Sequence, residues 1–315
     1  MTHTPSPDVP SPDAPSPGRS PFVAVIFSLL ATGLGHIYCG RIVPGLVLFL
    51  ASLLLTPVAV AAAFLGLSMP VMSVLGLAIV TVIGAYLFSV VDSFRLARRL
   101  QTGFEPRDYN RPLVYGLFIL VALTYPPLAM AQLRANVLEA FYIPSAGMTP
   151  NVLHGDRLLV NKLTYRLRAV ERGELIVFKS PKDRRLTWIK RVIALPGDVV
   201  EMKNNEVYVN DRKLERDRVP ASSLPALPEP GEVYEEVNAG RRYKILLGPA
   251  PSEHANYARA TVPEGACFVL GDSRDNSTDS RDPAVGFVPL GDIVGHVEFI
   301  YLPAESWRRF GAQRD

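Results

Sequence analysis

Between Phe22 and Phe94 the chain carries a single acid, Asp92, and very few basic residues, whereas residues 150–220 are densely charged. A polypeptide segregated this way keeps one half in hydrocarbon and the other in water, because an unpaired charge is costly away from water. The apolar half divides into four segments, Phe22–Tyr38, Ile42–Leu67, Val71–Val91 and Leu113–Leu133. Crossing a hydrocarbon core of roughly 30 Å takes about 20 apolar residues in a helix. The second, third and fourth segments reach that length, with kinks expected at Pro57, Pro126 and Pro127. The first is shorter and ends in the glycine-rich GLGHIYCGR, so it either spans or turns back as a re-entrant hairpin. Three or four transmembrane helices are therefore expected within residues 21–134. The segment 95-RLARRLQTGFEPRDYNR-111 holds five arginines against two acids, which places it in the cytoplasm. After one more crossing, everything beyond about residue 135 lies on the extracytoplasmic side. Ahead of the helices, the PSPD-type repeats of residues 1–20 predict a disordered tail, and their polar character does not read as a signal peptide.

A net charge of +3 is too small to argue for nucleic acid, and no Lys/Arg run is interleaved with aromatics. The two cysteines, Cys39 and Cys267, fall in different halves and make neither a disulfide framework nor a Cys-rich metal site. The five histidines are scattered, with none at an i, i+4 ligand spacing. No metal and no other cofactor is expected.

The polar half reads as mainly β. Short Val/Ile/Leu-rich runs such as RLLVNKL from residue 157, TWIKRVIAL from 187 and CFVLGD from 267 are separated by Gly, Pro, Asn and Asp. EMKNNEVYVN from residue 201 predicts a hairpin about Asn204 and Asn205. Residues 216–240, rich in Pro and Ala, read as a surface insertion in the domain spanning 135–315. In TWIKRVIAL the alternation puts Trp188, Lys190 and Val192 on one face. Burial there would lower the lysine pKa towards neutrality and make a general base; the alternative is a lysine reaching to solvent at a sheet edge. The polar run GDSRDNSTDSRD from residue 271 is either a solvated turn or a rigid platform, with Asp279 paired to Arg281 and Ser277 presenting a hydroxyl.

Four blocks in order, FYIPSAGMTPNVLHGDRLLVNK from residue 141, RGELIVFKSP from 172, WIKRVIALPGDVVE from 188 and LGDSRDNSTDSRDPAVGFVP from 270, resemble bacterial signal peptidase I. That family is a membrane-anchored Ser/Lys endopeptidase that removes signal peptides from exported preproteins. The resemblance covers residues 140–300 and implies a mainly β catalytic fold without metal; the helical region, which it does not cover, makes the chain a multi-pass protein, expected in the bacterial cytoplasmic membrane. It also implies a shallow cleft that takes its substrate as an extended strand and admits only small residues near the cut. On it, Lys190 maps to the base, Ser277 to the supporting hydroxyl, and Asp279 and Arg281 to the salt-bridged pair. Ile143, Pro144 and Met148 map to the substrate cleft, and Ser145 to the residue that donates a hydroxyl to the oxyanion.

The nucleophile position falls on Gly147, which has no oxygen to offer. Two readings follow. Ser145 takes over the attack, or Thr149, which on the far side of Met148 should point differently, does so; or the protein is an inert homologue that binds exported or membrane segments without cutting them.

Overall fold

The computed structural model describes residues 18–64, 71–102, 104–220, 229–250 and 253–312. The expected Pro/Ser-rich tail falls outside the described residues up to residue 17. The chain divides into two compact units, Met1–Leu133 and Arg134–Asp315.

In the first unit the apolar patterning gives helices α1 (Pro21–Leu30), α2 (Leu34–Tyr38), α3 (Ile42–Phe64), α4 (Val71–Arg99) and α5 (Pro112–Asn136), the last running on into the second unit. The segment Phe22–Tyr38 is not one continuous helix. Proline starts α1, which stops at Ala31, and the chain reverses at Gly33 with φ of 85° before α2 begins. Only glycine adopts that left-handed conformation without strain. The Gly33 N–H, freed at the break, donates to Ser89 Oγ at 2.9 Å. Ser28 donates to Ser93 at 2.9 Å, and His36 Nε2 lies 3.0 Å from Asp92 Oδ2. The one acid of the apolar half is thus the partner of a buried histidine. Among the described residues, two stretches, Gly76–Arg99 and Pro112–Asn136, are long and apolar enough to cross a membrane, and Pro21–Leu30 is apolar but shorter. Pro57 lies inside α3, and Pro126 and Pro127 inside α5.

The second unit is built from strands. In chain order they are β1 (Leu138–Tyr142), β2 (Arg157–Asn161), β3 (Leu175–Lys179), β4 (Thr187–Ala194) and β5 (Val199–Lys203). Then come β6 (Glu206–Val209), β7 (Arg212–Lys213), β8 (Glu215–Arg218), β9 (Glu232–Asn238) and β10 (Arg241–Leu247). The last are β11 (Tyr257–Thr261), β12 (Ala266–Leu270), β13 (Val288–Pro289), β14 (Ile293–Leu302) and β15 (Gly311–Ala312). The main sheet runs β1-β2-β14-β3-β4-β12-β13, with β15 on β14, and two smaller sheets pair β10-β9-β8 and β11-β5-β6-β7. The strand pairs named here are antiparallel, but they do not all join neighbours in the chain: β14 lies between β2 and β3, and β12 returns to pair with β4. The β5–β6 hairpin turns at Asn204 and Asn205, both at positive φ, as Asn-rich two-residue turns do.

Residues 216–240 are not loop throughout. β8 and β9 pair here, and Glu236 and Asn238 of β9 are buried; residues 221–228 lie outside the described part. The core that positions the site packs Ile143, Met148 and Val152 against Leu158, Val160, Leu175, Val177, Val297 and Ile300.

Candidate active site

The turn that follows β1 is fixed from both sides. The Thr149 N–H donates to Ala146 O at 2.9 Å and the Val152 N–H to Met148 O at 3.0 Å, closing a single helical turn. Met148, 3% exposed, anchors it in the core; burial of such a side chain contributes about 1.5–3 kcal/mol. Asp156 accepts from the Leu153 N–H at 2.7 Å and from the Arg309 guanidinium at 2.8 and 2.7 Å. Arg309 also donates to Asn151 O at 3.1 Å, so the end of the chain braces the turn.

Gly147 is buried at the centre of this turn, and its carbonyl accepts from the Ser273 N–H at 3.2 Å. A Cβ built on it would lie 3.4 Å from Lys190 Nζ, 3.4 Å from Asn276 O and 3.8 Å from Ser277 Oγ. Lys190 enters from β4, opposite Ile176 of β3, and is 7% exposed. The sheet-edge alternative for this lysine is therefore not what the fold adopts. Burial pushes its pKa below the ordinary lysine value; Asp279 and Asp272 pull it part of the way back, and Arg281 opposes them. A lowered pKa leaves more of the amine unprotonated at a given pH than in an ordinary lysine, and the unprotonated amine can accept a proton.

The opposite wall is the loop between β12 and β13. Ser277 points its Oγ inwards, buried and without a hydrogen-bond partner. Behind it the Arg281 guanidinium donates to both oxygens of Asp279 at 2.8 Å, and the Gly271 N–H donates to Asp279 Oδ2 at 2.9 Å. Burial would raise the Asp279 carboxyl, but Arg281 and that backbone N–H hold it below the usual carboxylate range. Any side chain at Gly271 would run into Ser277 and the Gly147 carbonyl, so glycine here is required by the close approach of loop and turn.

These walls enclose a cleft of about 440 Å³ lined by both Ser145 and Lys190. Ile143 and Met148 present one edge to the cleft and the rest to the core, while Pro144 and Ser145 are exposed at its rim. Thr149 points elsewhere: it is fully buried, does not line the cleft, and its Oγ1 has no partner. The side chains nearest a Cβ at position 147 are thus those of Lys190 and Ser277, with Asp279 and Arg281 supporting them. Among the described residues no group of three His, Cys, Asp or Glu comes together to hold a metal.

Several supporting residues are invisible in the sequence. The Arg191 guanidinium donates to Asp272 at 2.7 and 2.8 Å, both groups almost fully buried, and stacks 4.0 Å over the Tyr243 ring. Arg274 pairs with Glu236, both buried, and Tyr243 donates to Glu236 at 2.9 Å. Asn151 donates to Asp272 and to Lys244 O, each at 2.6 Å. The sequence signal for this network is the alternation of Asp and Arg after residue 271; their partners are Arg191 on β4, Glu236 on β9 and Asn151, tens of residues away.

Residues 115–302 match the family described as signal peptidase, peptidase S26. A probable signal peptidase I-1 from Synechocystis sp. is 34% identical over 213 residues, covering 64% of this chain and 86% of its own. A signal peptidase I from Aquifex aeolicus is 36% identical over 228 residues, covering 61% and 84%. A solved signal peptidase I from Enterococcus faecalis V583 aligns with 41% of this chain and 97% of its own at 29% identity, with a TM-score of 0.27.

Proposed function

The chain belongs to the signal peptidase family, peptidase S26, and on that premise we propose that it is a signal peptidase I-type protein acting on exported preproteins. It binds the signal peptide as an extended strand in the cleft beside Lys190 and cleaves after small residues. The observation that carries this reading is the Lys190 amine, buried, lowered in pKa and 3.4 Å from the position of a Gly147 Cβ. A buried base is costly to keep unless it has work to do. The attacking oxygen belongs to Ser145, the exposed hydroxyl on the cleft rim. Its proton passes to Lys190, an acyl-enzyme forms as the amine leaves, and water completes hydrolysis.

Gly147 itself favours a second reading, in which the same cleft binds signal peptides or membrane segments but does not cut them. The helical region of residues 21–134 is the multi-pass anchor in the cytoplasmic membrane, and residues 135–315 stand on its extracytoplasmic side. The lipid bilayer is therefore a partner of the first unit, while nucleic acid, metal and other cofactors play no part in this reading.

The experiment is cleavage of an exported precursor in membranes by the wild type and by Ser145→Ala, Lys190→Ala and Gly147→Ser. Product from the wild type but not from Ser145→Ala or Lys190→Ala supports the enzyme with a relocated nucleophile. No product from the wild type together with product from Gly147→Ser replaces it with the inert reading.

A further inference from the structure

On α4 the adjacent pairs Val90–Val91, Phe94–Arg95 and Arg98–Arg99 recur every four residues, so they share one side of the helix. Beside this stripe Ser89, Ser93 and Ala97 are fully buried, three small residues that let α1 and α2 pack closely. Val25 of α1 closes the stripe into an open groove. The groove changes character along its length, from a wall of Val25, Val90, Val91 and Phe94 to three guanidinium groups within about one helical turn.

Those guanidinium groups differ from the arginines that brace the β unit's cleft. In the β unit Arg191, Arg274 and Arg281 are each held by a carboxylate. Arg95, Arg98 and Arg99 are exposed and have no carboxylate partner among the described residues; the one contact seen is Arg98, 5.8 Å over the Phe94 ring. Guanidinium groups present N–H pairs that match phosphate oxygens, and a hydrocarbon-walled trough ending in such groups has the polarity of one lipid molecule.

We propose that the groove between α1 and α4 binds an anionic phospholipid, its acyl chain along Val25, Val90, Val91 and Phe94 and its phosphate held by Arg95, Arg98 and Arg99. The occupant is a lipid of the bilayer rather than free phosphate, because the apolar wall makes up more than half of the lining residues and phosphate alone would leave it bare. The inference rests on the membrane placement of this unit but not on whether the cleft is catalytic.

The test is native mass spectrometry of the full chain released from neutral detergent, with phosphatidylglycerol or phosphatidylcholine added. Each arginine near a lipid phosphate is worth roughly five-fold in affinity, so the three together contribute on the order of 100-fold. The wild type should retain phosphatidylglycerol in preference to phosphatidylcholine, and R95Q/R98Q/R99Q should lose that preference. R107Q/R111Q, which removes two charges from the same segment but outside the groove, should keep it. Added glycerol phosphate should not displace the lipid. Equal retention of the two lipids, full retention by the triple variant, the same loss in R107Q/R111Q, or displacement by glycerol phosphate would each overturn the proposal. Membrane placement is read separately, by whether the chain stays with the bilayer after alkaline extraction.

Discussion

At position 147 a Cβ would meet its nearest neighbours at 3.4 to 3.8 Å, ordinary contact distances, and the backbone there is not in the left-handed region. Nothing in the fold demands glycine, so a serine can be accommodated with its oxygen between Lys190 and Ser277. Gly147→Ser should therefore raise the rate of precursor cleavage, by 10³-fold or more if the wild type is inert, on the scale set by losing a serine nucleophile, roughly 10⁶ in kcat. In that background Ser145 reverts to an oxyanion donor, and adding Ser145→Ala should cost roughly 10²–10³ in kcat. If the wild type is inert and Gly147→Ser folds yet shows no gain in a timed cleavage assay, the Lys190 amine is not placed as a base. The pH profile is a second check. Because burial lowers the Lys190 pKa, activity should rise with pH through that lowered value and level off below the ordinary lysine range near 10.5. Stability follows the same linkage. Between the lowered native pKa and 10.5 the unfolded chain binds more protons than the native one, so wild-type stability rises with pH. Lys190→Met removes that dependence, and in thermal melts its stability relative to wild type should be greatest at low pH and shrink as pH approaches 10.5.

At the scale of elements, what the sequence reveals is what local pattern dictates. Alternation in β4 puts Lys190 on the face of Val192, and the two asparagines turn the β5–β6 hairpin where expected. The break in the first apolar segment is visible too, as the glycines before His36. β9 escapes this reading because EVYEEVN has too many acids to look like a half-buried strand; its Glu236 is buried only because Arg274, distant in sequence, neutralises it. Arg191–Asp272 is hidden for the same reason. Pairings between remote residues decide where charge can be buried, and local composition does not record them. The loop carrying Ser277 gives the test at this scale. Gly271→Ala would drive a methyl group into the Ser277 side chain and the Gly147 carbonyl, an overpacking worth about 1–3 kcal/mol. The loop should yield before the buried Arg281–Asp279 pair does, so the melting temperature should fall only modestly while precursor cross-linking to the cleft is lost. A variant that melts early yet cross-links normally would mean the turn and the loop need not meet.

For the molecule as a whole, the arginines of residues 95–111 and the spans Gly76–Arg99 and Pro112–Asn136 set an orientation that can be measured directly. Arginine-rich loops stay cytoplasmic, so Gln101 should face the cytoplasm and every exposed residue of the β unit the other side. Both native cysteines are buried, and burial pushes the Cys267 thiol up to about 12, so the wild-type background is slow to react with a thiol reagent. Single cysteines at Gln101 and at Glu264, both exposed, can then report sidedness. Glu264→Cys should label in intact cells stripped of outer barriers with a reagent that does not cross the membrane. Gln101→Cys should label only after the membrane is opened. The reverse pattern would put the Lys190 cleft on the side where preproteins are made rather than where they arrive, and a signal peptidase function would have to be abandoned whatever the chemistry at position 147. Equal labelling of both sites in intact cells would remove the membrane reading itself, and the arginine groove would lose its lipid with it.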